Sequence, residues 1–322
     1  MIPIALDAMG GDKAPVETVA GAVQASAEGV EVVLVGDRTL LKPQLQELGA
    51  DLEIVHAAQT IGMGDDPAAA LRDKPDSSIS VAARLVKEGR AGAMVSAGST
   101  GAAMAAAAIL IGRAKGVIRP TIASVIPTPG TSTLVLDSGA NPEVKPEHLV
   151  QFALMGTVAA EVFFGMTNPR VGLLNIGEEK GKGRSLEKEA YELLAQTSVN
   201  FIGNVEGRDL ATGRADVWVT DGFVGNVLLK VTEGVAAMVL DLATESLAGT
   251  TKRSTVVDAL APLRRRLDYE HTGGAHLLGV NGVVVISHGS SGRTAIANAL
   301  RMAHDGMERD LVGRMTSRLA GS

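Results

Sequence analysis

Short, almost unbroken apolar runs, most of them followed by a stretch long enough for a helix, set the strongest limit on what this chain can fold into. The runs are PIALD (3–7), EVVLVG (31–36), LEIVHA (52–57), AGAMVS (91–96), TIASVI (121–126), STLVLD (132–137), RVGLLN (170–175), VNFIG (199–203), DVWVTD (216–221) and VVVISH (283–288). A strand with one wet face alternates apolar and polar residues. These do not, so burial on both faces is expected, as in a mostly parallel sheet. The helix-length segments fall at 15–27, 38–48, 77–89, 99–114, 146–164, 184–197, 222–248 and 293–318. Together they predict repeated βαβ units in an α/β fold, a three-layer αβα arrangement around an open sheet. IPTPGTST (126–133) is too short for a crossover helix, so an antiparallel hairpin is expected there and the sheet should be mixed. No repeat, low-complexity linker or domain boundary stands out.

The composition removes several function classes. The 322 residues are 46% hydrophobic, ample for a large core. Aromatic residues make up 2% and the net charge is −6, so few platforms exist for stacking bases and no general nucleic-acid role is expected. There is no cysteine, which excludes disulfides, thiolate metal sites and a cysteine nucleophile and fits a reducing cytoplasm. The start, IPIALD, lacks the regions of a signal peptide. The most lipid-like stretch noted, AAMAAAAILIG (102–112), is far shorter than the roughly 20 residues that span a bilayer. A soluble protein, at most attached to a membrane surface, is expected.

Strand after strand ends in a small polar, glycine-bearing cluster that opens toward a helix. These are DAMGGD (7–12), SAGSTG (96–101), LDSGAN (136–141), NIGEEKGKG (175–183), VTDGFVGN (219–226) and SHGSSG (287–292). Open α/β sheets bind ligands beyond the carboxyl ends of their strands. Glycines let backbone N–H groups approach closely, and helix N-termini add partial positive charge. Several such loops converging would cradle phosphate. Taken singly, each has a plainer role as a tight turn or a cap: Ser99 or Thr100 capping a helix, Asp137 and Asn141 holding a turn. NIGEEKGKG approaches a P-loop, but Gly183 stands where Ser or Thr should follow Lys182, and no G-x-G-x-x-G occurs. Phosphate is supported; ATP and NAD are not. No G-x-S-x-G elbow or H-E-x-x-H pair is present. Asp7, Asp12, Asp137 and Asp221 could jointly hold Mg²⁺, although turn and capping roles account for each separately. His288 is either a general acid or phosphate ligand or only a strand-end histidine.

Residues 251–267, TKRSTVVDALAPLRRRL, differ from the rest. Val256, Leu260, Leu263 and Leu267 fall at helical spacing, surrounded by Lys252, Arg253, Arg264, Arg265 and Arg266 against Asp258 alone. This is a positive patch on an acidic protein, fit to dock an acidic partner or an anionic membrane, or else a helix with a solvated basic face.

The strings DAMGGD, SAGSTGA, LDSGAN, KPEHLVQFALMG, PRVGLLNIGEE, NFIGNVEGRDL, DVWVTDGFVGNVLLK, GGAHLLG and HGSS, in this order, resemble the bacterial acyl-carrier-protein:phosphate acyltransferase family of phospholipid synthesis. The resemblance covers residues 4 to about 305. It implies a single catalytic domain over 1–322 with a protruding helical segment at about 230–270, forming a hairpin extension. The implied fold is that of the phosphate acetyltransferase and isocitrate dehydrogenase group. It also implies transfer of a fatty acyl group from acyl carrier protein to inorganic phosphate, with the acyl phosphate passed to a membrane glycerol-3-phosphate acyltransferase. A homodimer at the membrane periphery, with no organic cofactor and no metal, goes with it. The chain departs from the family at Ser99 (usually Asn), Ser138 (usually apolar) and His276 (usually Pro or Ser). A short-chain acyltransferase using CoA thioesters and a non-catalytic scaffold are the alternatives.

A thioester is already activated and phosphate is already ionised, so the protein's task is to bring two anions together and stabilise an oxyanion. On that basis Lys182, helped by Lys180, offsets charge. Backbone N–H groups of Gly98, Ser99, Thr100, Gly101, Gly289, Ser290 and Ser291 hold phosphate oxygens. Asn141, Asn175 and Asn226 bond the carbonyl or the carrier's arm. Asp7 and Asp12 orient donors beside Gly10 and Gly11. Ser96, Asp137, Asp221 and His288 complete the expected site.

Overall fold

The computed structural model describes residues 2–248, 253–267 and 272–321. Its centre is one 11-stranded sheet in the order β3-β2-β1-β4-β11-β10-β5-β6-β9-β7-β8. The strands are β1 (Ile4–Asp7), β2 (Val32–Gly36), β3 (Glu53–His56), β4 (Ala93–Ser96), β5 (Thr121–Thr128), β6 (Thr131–Leu136), β7 (Arg170–Leu174), β8 (Asn200–Val205), β9 (Val217–Val219), β10 (Ala275–Leu278) and β11 (Val283–Ile286). β3, β2, β1, β4 and β11 are parallel to one another. β6, β9, β7 and β8 form a second parallel block. Between them β10 is antiparallel to β11 and to β5, and β5 is antiparallel to β6. The second block therefore points against the first.

Both faces are covered, as the non-alternating strands require. On the first block, α1 (Val16–Ala27) and α10 (Arg293–Glu308) pack on Leu6, Val95 and Val285. The opposite face, Ala5, Met94 and Val284, meets α4 (Ser78–Lys87) and α5 (Thr100–Ala106), which continues into a π-helical turn at Ala107–Ile111. On the second block, α6 (Pro146–Phe164) places the fully buried Phe152 and Met155 over Leu136, Leu173 and Val219, flanked by α7 (Ser185–Leu194) and α11 (Leu311–Ala320). The other face carries Trp218 and Val135 and meets the start of α8 (Gly222–Ala248). The remaining helices are α2 (Arg38–Glu47), α3 (Pro67–Asp73) and α9 (Arg253–Leu267).

Three elements depart from expectation. β10 and α3 have no counterpart among the predicted elements. The predicted helix 293–318 is two helices, because Asp310 takes a left-handed conformation (φ 51°) and caps the second by accepting from Gly313 N at 3.2 Å. α8 and α9 pack on each other, with Arg264 3.4 Å from Asp241. The predicted stripe on α9 is split: Val256 is buried and Leu263 is exposed.

Candidate active site

The loops after β1, β4 and β11 are locked together mainly through backbone and hydroxyl groups. Asp12 N donates to Gly289 O at 2.8 Å, and Ser287 N donates to Ser96 O at 2.8 Å. Asp7, buried at the end of β1, accepts the Ser96 hydroxyl at 2.8 Å, and Ser96 Oγ in turn accepts Gly98 N at 3.1 Å. Burial raises the Asp7 pKa above the usual carboxylate range, against the pull of its hydroxyl and amide donors. Gly10 is obligatory here, since a Cβ would lie 2.5 Å from Asp7 Oδ2 and 2.8 Å from Gly98 N. Gly11 has φ +107°, which side chains rarely adopt. Ser99 caps α5, accepting Ala102 N at 3.4 Å, so its hydroxyl is engaged in folding. Ser287 donates to Gly273 O at 2.5 Å, so the 2.8 Å contact between Ser287 and Ser291 takes its proton from Ser291. His288 Nδ1 lies 2.9 Å from the Ser290 hydroxyl.

The loops of the second block are held by carboxylates. Asp137, fully buried, accepts four donors: Ile122 N at 3.0 Å, Ala140 N at 3.1 Å, Asn141 N at 2.6 Å and Asn141 Nδ2 at 2.9 Å. Burial nonetheless raises its pKa. Asp221 caps α8 by accepting Val224 N at 2.8 Å, and its other oxygen accepts Arg184 Nη2 at 2.5 Å. Arg184 also pairs with Glu187, and the two carboxylates push its pKa up. Sequence reasoning passed over Arg184, although it directly follows the glycine-rich run 175–183. Asn175 Nδ2 donates to Lys182 O at 3.1 Å, closing that run. Lys180 is committed elsewhere, 2.8 Å from Glu192 and over the Tyr191 ring. The Lys182 ammonium is half exposed and 3.9 Å from Glu179.

Both loop sets meet in a cavity of about 460 Å³ over the seam between the blocks. This lies within the roughly 300–1,000 Å³ typical of small-ligand sites. Thr100, His288 and Gly289 come from the first set, and Ser138, Gly139 and Asn226 from the second. The floor is β5 and the start of β10, and one wall is α8. On the floor the Ser124 and Ser138 hydroxyls lie 2.6 Å apart, and Ser138 also donates to Ile122 O at 3.1 Å. Ser138 is thus a hydrogen-bonding group on the cavity floor.

Not every expected residue reaches this cavity. Asn175, Lys180 and Lys182 do not line it, because β7 lies two strands beyond β6 in the sheet. Asp7, Asp12 and Asp137 act behind the lining rather than in it. Among the described residues no three His, Asp or Glu side chains are grouped to hold a metal, so the four aspartates do not converge. The lysine that does line the cavity is Lys230, on α8 and 2.9 Å from Glu233; its i+4 spacing from Asn226 is the signal that could have found it. Lys252 lies outside the described residues and Arg253 opens α9. The three other basic residues of α9 have separate surroundings. Arg264 pairs with Asp241, Arg266 bonds backbone carbonyls of the β5–β6 hairpin, and Arg265 is exposed.

Comparison with known proteins agrees with this architecture. Over 95% of the chain and 94% of the other, the structure matches a phosphotransacetylase from Staphylococcus aureus at 19% identity, with a TM-score of 0.62. A branched-chain phosphotransacylase from Enterococcus faecalis matches with a TM-score of 0.60 at 17% identity, covering 95% of this chain and 99% of that one. The fold is therefore that of the phosphate acetyltransferase group. In sequence, a protein of Desulforamulus reducens named phosphate acyltransferase is 50% identical over 97% of this chain and 96% of its own length. One of the same name from Heliobacterium modesticaldum is 50% identical over 99% of this chain and 98% of its own. The model of the fatty acid synthesis protein family matches residues 2–314. The chain belongs to that family.

Proposed function

We propose that this protein transfers a fatty acyl group from acyl carrier protein to inorganic phosphate. The observation that carries the reading is identity of about 50%, over nearly the full length, to proteins named phosphate acyltransferase. A cavity joining glycine-rich loops to an apolar wall supports it. A phosphate oxygen attacks the thioester carbonyl, the C–O bond forms, and the C–S bond breaks to release the carrier thiol. Backbone N–H groups of Ser99, Thr100, Gly101, Gly289 and Ser290 hold phosphate, and Asn226 bonds the carbonyl or the carrier's arm. Lys230, the lysine in the lining, offsets charge there, and Lys182, outside the lining, is the next candidate. The product, an acyl phosphate, serves phospholipid synthesis at the membrane.

The outer face of α8 supports a homodimer. Phe223, Val227, Val231, Val235, Met238 and Leu242 recur at intervals of three or four residues, and each is about half exposed or more. α8 is long and apolar enough to span a bilayer, but its other face carries Asn226, Lys230 and Glu233 into the cavity, so a second copy is the proposed cover. Arg265 is the proposed contact for the acidic carrier protein. An Arg265→Glu variant should raise KM for the carrier substrate; an unchanged KM with lost vesicle binding would assign it to the membrane instead.

The decisive test is purified protein with palmitoyl-[acyl-carrier-protein] and phosphate, following the free carrier thiol. Phosphate-dependent release with acyl phosphate as product is expected. Carrier binding without release would leave a scaffold.

A further inference from the structure

Along β5 the cavity lining turns from the Ser124–Ser138 pair to Ile126 and Pro127, while α8 presents Asn226, Leu229, Lys230, Thr232, Glu233 and Ala236 alongside it. Gly139 and Asn226 lie together near the Ile122 end of β5, where Ser138 is bonded. The Thr128 end lies about 20 Å away at the usual strand rise. At that far end the last described turn of α9 brings in Leu267, which lines the cavity.

Leu267 is fixed by its neighbours on α9. Arg266 Nη2 donates to Thr128 O at 2.6 Å and to Thr131 O at 3.3 Å, the residues that end β5 and begin β6. Arg264, one turn from Leu267, holds α9 against Asp241 of α8. One planar guanidinium thus ties α9 to the hairpin that forms the other side of the slot. Both arginines hold α9 against its neighbours.

We infer that Leu267 is the end wall of the acyl slot and that Arg266 clasps it there, so that this pair sets the longest acyl chain accepted. The inference rests on the proposed acyl transfer. Leu267 contacts the substrate's terminal methyl; Arg266 is a positioning residue. A methylene against an apolar wall changes discrimination by roughly tenfold or more.

The test uses the full chain, inorganic phosphate and acyl-carrier-protein thioesters of saturated chains of increasing length, read as kcat/KM for each. Leu267→Ala should move the optimum to longer chains and Leu267→Trp to shorter ones, each changing the long-to-short ratio roughly tenfold. Arg266→Ala should broaden the profile, and Arg266→Lys, which keeps charge but not the two-pronged contact, should broaden it as well. Circular dichroism checks folding. If the alanine variant does not fold, Leu267→Val replaces it. Folded Leu267 variants that keep the original profile, or that shift it the same way, overturn the inference. No phosphate-dependent release from any thioester by the unaltered protein overturns the acyl-transfer reading itself, an outcome distinct from an active enzyme with unmoved preference.

Discussion

The two loop sets that meet over the seam are built by different means. The set at 7–12, 96–101 and 287–292 is held largely by backbone bonds and serine hydroxyls, with glycine at the points of closest approach. The set at 137–141, 175–184 and 220–226 hangs on a few buried or half-buried ionic side chains, chiefly Asp137, Asp221 and Arg184. The first arrangement distributes its stability over many small contacts and leaves N–H groups close together. The second concentrates it, so that single side chains hold several strands' ends. Fixed donors suit a small anion; tethered side chains suit a larger, more variable substrate.

The largest effect should separate the two designs. Asp137→Ala leaves four donors buried without an acceptor and should cost about 3–5 kcal/mol, measured by urea unfolding. A loss below about 1 kcal/mol would mean that the second set is as distributed as the first. Gly10→Ala should cost less, about 1–3 kcal/mol, and lower turnover about a hundredfold, because its Cβ forces buried Asp7 and the Gly98 backbone apart. Turnover near normal would show that the first set tolerates movement. Lys230→Ala should lower kcat roughly tenfold to a hundredfold without changing stability. An unchanged kcat would leave Lys182 as the cation to test.

A smaller effect concerns the seam. His276, in β10, stacks on Phe163 at 4.3 Å between ring centres and, among the described residues, has no hydrogen-bond partner at either ring nitrogen. Burial lowers its pKa from 6.5 to about 3. Below about pH 6.5 the unfolded chain takes up a proton that the folded chain refuses, so this contribution falls steadily with acid until about pH 3. Between pH 7 and pH 5 the loss should be about 2 kcal/mol. His276→Leu should remove that part of the acid sensitivity; an identical pH–stability curve would show that the ring is hydrated.

Much of this was legible in the sequence. Strands such as Val283–Ile286 announce themselves by being apolar throughout, and their polar ends mark the site because parallel βα turns leave nowhere else for those residues. β10 was hidden because it is only four residues long, contains His276 and follows two glycines. The opposed direction of the two blocks was also hidden, since only strand pairing reveals it. Lys182 and His288, each in a loop past a buried strand, do not share a lining because β7 lies two strands beyond β6. Arg184 and Lys230 escaped notice because an arginine or lysine on a helix is ordinarily solvated, and only tertiary contact gives either a task.

α8 carries a consequence of its own. A helix is about 10 Å across. The face with Asn226 and Ala236 bounds the cavity, and the face with Val231 and Leu242 is the outside of the molecule. The cavity therefore has a partition one helix thick. Whatever settles on the outside is separated from the reactants by a single row of backbone, so assembly and turnover cannot be tuned independently. A residue chosen for one side sets the spacing for the other.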